Sequence, residues 1–104
     1  MIMTESRVII PLVEIENFSR RWKIKEFSLF GSVLRENFGP QSDVDVLVSF
    51  VEGAAWSLFD LVEMKAELEK IFGREVDLVE KDSLRNPFRR HAIMSGREVI
   101  YATG

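Results

Sequence analysis

The chain has 104 residues, with 46% hydrophobic and 30% charged side chains, the make-up of one globular domain around a single modest core. It has no cysteine and one histidine, which excludes disulfides, thiolate catalysis and cysteine- or histidine-rich metal sites. A net charge of −3 does not point to nucleic acid as a direct partner. No apolar run approaches the roughly 20 residues that cross a bilayer, and "MIMTESRVIIPL" is not a secretory signal. The expectation is a single domain over 1–104, cytoplasmic, with no membrane partner.

In chain order, Pro11 suits the first turn of a helix, where its missing N–H costs nothing. That helix runs to about Trp22, with Leu12, Ile15, Phe18 and Trp22 on one face. "IKEFSLF" reads as a strand ending at Gly31, with Ile24, Glu26, Ser28 and Phe30 on one face and Lys25, Phe27 and Leu29 on the other. "SVLRENF" reads as a short helix closed by Gly39-Pro40. "DVDVLVSF" is a β-branched strand. Val44, Val46 and Val48 share one face; Asp43, Asp45, Leu47 and Ser49 share the other.

The longest helix is expected from Trp56 to Phe72, with Leu58, Leu61, Met64, Leu68 and Ile71 inward and Gly73 at its stop. "REVDLVE" is a third strand, carrying Asp77 between Val76 and Leu78. Asp82 or Ser83 could cap a last helix that Pro87 either begins or interrupts. "EVIY" is a final short strand. The order α-β-α-β-α-β-α-β gives an α+β fold, an α/β sandwich with helices packed on a small sheet.

The acids inside the strands carry the chemistry. Asp43 and Asp45 are two residues apart on one strand face, where like charges repel. Ion pairing with Arg35, Arg74 or Lys25 would satisfy them. A divalent cation would do so too, because Mg²⁺ prefers carboxylate, phosphate and water oxygens. Asp77 stands in the same setting on another strand. If the two strands are neighbours, three carboxylates meet, and two Mg²⁺ ions would neutralise them and clamp a phosphoryl centre. Gly31-Ser32 lies between a strand and a helix start, where free N–H groups and a hydroxyl can grip phosphate. A plain turn with a serine cap is the other reading of that pair taken alone. Together the features describe a site that holds a nucleoside triphosphate and metal for transfer at the α-phosphorus.

Gly31-Ser32, ten residues, then Asp43-Val44-Asp45 resembles the signature of the DNA polymerase beta-like nucleotidyltransferases. "LFGSVLRENFGPQSDVDVLVSF" is similar to the minimal nucleotidyltransferases, the antitoxins of HEPN/MNT toxin–antitoxin systems, and the resemblance runs from about Pro11 to Tyr101. It implies the polymerase-beta-like fold, with a small mixed sheet. It implies that Asp43, Asp45 and Asp77 are the catalytic, metal-binding carboxylates and that Gly31, Ser32 and Arg35 bind the nucleotide. Val33 stands where many relatives carry a basic residue. The resemblance further implies an enzyme that uses Mg²⁺ and ATP. Such an enzyme moves AMP to a tyrosine of a HEPN toxin, an all-helical partner protein. About 20 residues follow the last acid-bearing strand, fewer than an acceptor-binding domain needs, so the acceptor is expected from another chain. An idle module that only docks on the toxin is one alternative. A nucleotidyltransferase subunit acting on a small molecule or RNA with another helical partner is a second.

Other residues invite plainer readings. Arg85, Arg89, Arg90 and His91 form a basic stretch that reads as a solvated helix face, or else as a patch for a partner or for nucleotide phosphates. Trp22 and Trp56 read as core or rim packing. "SFVEGAAWSLFD" reads as an ordinary connector or as a loop over the nucleotide.

Overall fold

The computed structural model describes residues 2–3, 9–31 and 43–103. Six strands and three α-helices are found among them: β1 (Ile2–Met3), β2 (Ile9–Ile10), α1 (Leu12–Arg21), β3 (Ile24–Phe30), β4 (Val44–Phe50), α2 (Leu58–Phe72), β5 (Val76–Glu80), α3 (Pro87–Gly96) and β6 (Glu98–Ala102). The main sheet has the order β5-β4-β3-β6. β4 and β5 are parallel, joined through α2; the other two pairings are antiparallel. The expected α+β architecture with a small mixed sheet is therefore present. The expected helix over "SVLRENF" lies outside the described residues.

Two hydrophobic clusters sandwich the sheet. The larger joins Ile15 and Phe18 of α1 and Met64 and Leu68 of α2 to Phe27, Leu29, Val44, Val46 and Val48 of the strands. The smaller joins Ile93 of α3 and Leu84 to Phe30 and Leu47. Helices α1 and α2 thus cover one face and α3 the other.

Local chemistry sets the helix ends. Ser57 and Asp60 form a reciprocal capping box at the start of α2, and Gly73 closes it with φ +68°. This cap corrects the expected start at Trp56. That residue stands outside the helix, where its ring meets Trp22 edge-on at 5.1 Å and its indole N–H donates to the Trp22 carbonyl at 3.0 Å. Leu58 was expected inward but is 75% exposed on the first turn. Asp82 and Ser83 do not cap α3. Pro87 opens it, and Asn86 Oδ1 accepts from the N–H groups of Phe88 and Arg89.

β3 departs from simple alternation. Its register with β4 slips between Ile24 and Glu26, as at a β-bulge. The extra residue moves Ile24 onto the face of Phe27 and Leu29, and all three are buried in the larger cluster. Glu26, Ser28 and Phe30 keep the opposite face. Ahead of α1, β1 and β2 pair antiparallel, Ile2 with Ile10 and Met3 with Ile9; the sequence reading had no strand there.

Candidate active site

The acids lie where the alternation of β4 and β5 puts them. Val44, Val46 and Val48 go into the larger core, so Asp45 shares the opposite face with Leu47. On β5, Val76 and Leu78 join the larger core, and Asp77 shares the other face with Val79. The strands are neighbours, and Asp45 is the register partner of Asp77. Partners in adjacent strands stand about 4.8 Å apart across the sheet, within side-chain reach of each other. Asp43 immediately precedes β4, two residues before Asp45. The amide of Val44 donates to the Glu75 carbonyl at 2.9 Å, so the starts of β4 and β5 are tied together at this point. Asp43 and Asp77 are exposed and Asp45 is half-buried.

The third wall comes from β3. Phe30 is the register partner of Asp45, so Gly31 leaves the strand directly beside that carboxylate. Gly31 has φ +70°, a conformation that favours glycine. A Cβ placed on it would overlap Oδ2 of Asp45 and stand 3.2 Å from its Cγ. Ser32 and Arg35, the other expected nucleotide contacts, lie outside the described residues.

This edge suits a hard cation in its donor chemistry, because its side chains are carboxylates and contribute neither sulfur nor imidazole. Asp43 and Asp45, like Arg74, are already engaged in interactions within the fold. Among the described residues no three histidine, aspartate or glutamate side chains stand close enough together to hold one ion. What the fold supplies is adjacency: two acids paired across β4 and β5, a third one step away, and a glycine against the central one.

One further polar group on this face is tied to a helix end. Glu26 accepts from Arg97 Nε at 2.9 Å and from Ser28 Oγ at 3.4 Å, and Arg97 also donates to the Met94 carbonyl. The pair ties the end of α3 to β3 on the side that carries the acids. The one sequence signal that could have found it is Glu26 standing with Ser28 on one face of a mostly apolar strand. The loop after β4 is a connector. It leaves the strand at Phe50, about 16 Å along from Asp45, and its Trp56 packs on Phe50 and Trp22. Arg90 of the basic stretch donates to the carbonyls of Lys81 and Leu84, which makes it a structural residue.

Residues 15–100 match the family model described as a nucleotidyltransferase domain. The chain belongs to this family of nucleotidyltransferases. An inferred protein adenylyltransferase of Methanocaldococcus jannaschii is 42% identical over 89 residues, covering 86% of each chain. The protein adenylyltransferase MntA of Thermococcus cleftensis is 38% identical over 81 residues, 78% of this chain and 77% of its own. Among solved structures, a toxin–antitoxin complex with AMP-PNP superposes with a TM-score of 0.73 at 20% identity, over 90% of this chain and 75% of that one. A Shewanella oneidensis complex of a tri-AMPylated HEPN toxin with its MNT antitoxin gives 0.63 at 19% identity, over 88% and 70%. The fold is that of the minimal nucleotidyltransferases, as the Gly31-Ser32 and Asp43-Val44-Asp45 pattern led one to expect, and the chain is an enzyme of the nucleotidyltransferase class. No helix among the described residues is long and apolar enough to cross a membrane.

Proposed function

We propose that this nucleotidyltransferase moves AMP from ATP to a tyrosine hydroxyl of a helical HEPN-type toxin, and thereby acts as an antitoxin. The observation that carries the reading is the pairing of Asp45 with Asp77 across β4 and β5, with Asp43 beside them and Gly31 against Asp45. The similar proteins named as adenylyltransferases and the AMPylated toxin complex support the choice of nucleotide and acceptor.

In this reading Gly31, Ser32 and Arg35 hold the triphosphate at the end of β3. Backbone N–H groups and the serine hydroxyl donate to phosphate oxygens, and the guanidinium offsets their charge. The tyrosine oxygen forms a bond to the α-phosphorus as the bond to the bridging oxygen breaks, and pyrophosphate leaves. Asp77, on the edge strand β5, accepts the phenolic proton and passes it to solvent. Two Mg²⁺ ions, one drawing on Asp43 and Asp45 and the other on Asp77, would, when bound, neutralise the triphosphate and lower the pKa of the attacking hydroxyl. Holding acceptor and donor in line accounts for much of the rate, because so little covalent work falls to the protein.

The test is intact-mass analysis of a HEPN partner after incubation with this protein, ATP and Mg²⁺. The partner should gain one or more adenylyl units, and peptide mapping should place them on tyrosine. A partner that is bound and neutralised with its mass unchanged would show that the chain acts by docking alone.

A further inference from the structure

We propose that Gly31 is the seat of the Asp45 carboxylate, a positioning residue for that acid in addition to any contact it makes with nucleotide. The inference rests on the catalytic reading of Asp45 given above. Three glycines among the described residues have positive φ: Gly31 at +70°, Gly53 at +89° and Gly73 at +68°. At Gly53 and Gly73 an added Cβ would meet nothing within 4 Å, so backbone conformation alone accounts for glycine there. At Gly31 the three nearest atoms all belong to Asp45: Oδ2, which the Cβ would overlap, Cγ at 3.2 Å and its Cβ at 3.5 Å.

Asp45 cannot retreat as a whole. Its backbone is in register with Phe30 on one side and Asp77 on the other. A side chain at position 31 would therefore turn the carboxylate about its own χ angles, at little cost in fold stability. The carboxylate would leave the line it shares with Asp77. A glycine that served phosphate alone would show its loss in ATP affinity. A glycine that seats Asp45 shows it in the behaviour of the acid.

Gly31→Ala and Gly73→Ala form a matched pair, with the same strain from φ and only one of them against Asp45. Crystal structures of both should show Asp45 in a new rotamer in Gly31→Ala and unmoved in Gly73→Ala. Stabilisation of the folded protein by Mn²⁺, followed by thermal unfolding, should need about tenfold more ion or beyond in Gly31→Ala, the usual cost of losing a group that orients a metal ligand, and wild-type amounts in Gly73→Ala. An unmoved Asp45 in Gly31→Ala overturns the seat, as does an unshifted Mn²⁺ response. If wild type itself does not respond to Mn²⁺, the metal role of Asp45 fails, and the rotamer comparison alone decides the seat. Should Gly31→Ala not fold, recovery of the fold in Gly31→Ala/Asp45→Ala supports the contact, and failure to recover overturns it.

Discussion

The two faces of the sheet are built for different ends, and β4 serves both. On the side of α1 and α2, Val44, Val46 and Val48 are fully buried in a core continuous from Ile10 to Val76. On the side of α3, the same strand offers Asp45 and Leu47, with Asp43 just ahead of it, and only Leu47 goes into the small cluster with Phe30, Leu84 and Ile93. Two-residue alternation lets one strand contribute its stability from one face and, in the proposed reading, its chemistry from the other. The acids stand at the start of β4 and β5, where the proposed reading brings the triphosphate.

Substitutions on the two faces should therefore fail differently. The largest loss of stability belongs to the α1/α2 face. Phe27 is fully buried and meets Phe18 edge-on at 6.3 Å. Phe27→Ala should cost about 3–5 kcal/mol in urea unfolding, and transfer should fall only as the folded fraction falls. A stable but inactive Phe27→Ala would blur the division between the faces.

Next comes the tie between α3 and β3. Arg97→Met leaves Glu26 on the sheet without its main partner. The side chains are 22% and 26% exposed, so solvent screens them only in part. The expected cost is about 1.5–3 kcal/mol. Because the tie lies on the acids' side, transfer should fall more than the folded fraction does. A loss of transfer that tracked stability alone would place Arg97 with the structural residues.

Smaller still is the α2 cap. Ser57→Ala removes a hydroxyl that accepts from the Asp60 amide at 3.2 Å. It should cost about 1 kcal/mol and leave transfer per folded molecule unchanged, since α2 lies across the sheet from the acids. Reduced turnover in the folded Ser57→Ala protein would mean that the two faces are coupled.

Much of this division could be read from residue order. Val44, Val46 and Val48 alternate so regularly with Asp43 and Asp45 that the acid-bearing face was visible before any pairing was known. Asp77 between Val76 and Leu78 repeated the signal. That the two strands are adjacent, with Asp45 against Asp77, is a property of topology; local pattern could only pose it as a condition. Other features were hidden for local reasons. A slipped register near Lys25 carried Ile24 across the sheet, and no periodicity reports an inserted residue. Leu58 fitted the apolar stripe of α2, yet the Ser57–Asp60 capping box starts the helix so that its first turn faces solvent. Trp56 fitted the same helix, and its indole instead found the carbonyl of Trp22. The conflict between Gly31 and any side chain at that position exists only because Phe30 and Asp45 are in register.

The most direct test of the division is made on Asp45→Asn, which keeps the shape of the side chain and removes its charge. Urea unfolding and AMP transfer would be measured on the same preparation. The protein should stay folded, losing about 0.5–3 kcal/mol because Asp45 is half-buried and already engaged within the fold, and lose nearly all transfer at every Mg²⁺ concentration. A folded Asp45→Asn protein with full transfer would contradict the assignment of this face to chemistry.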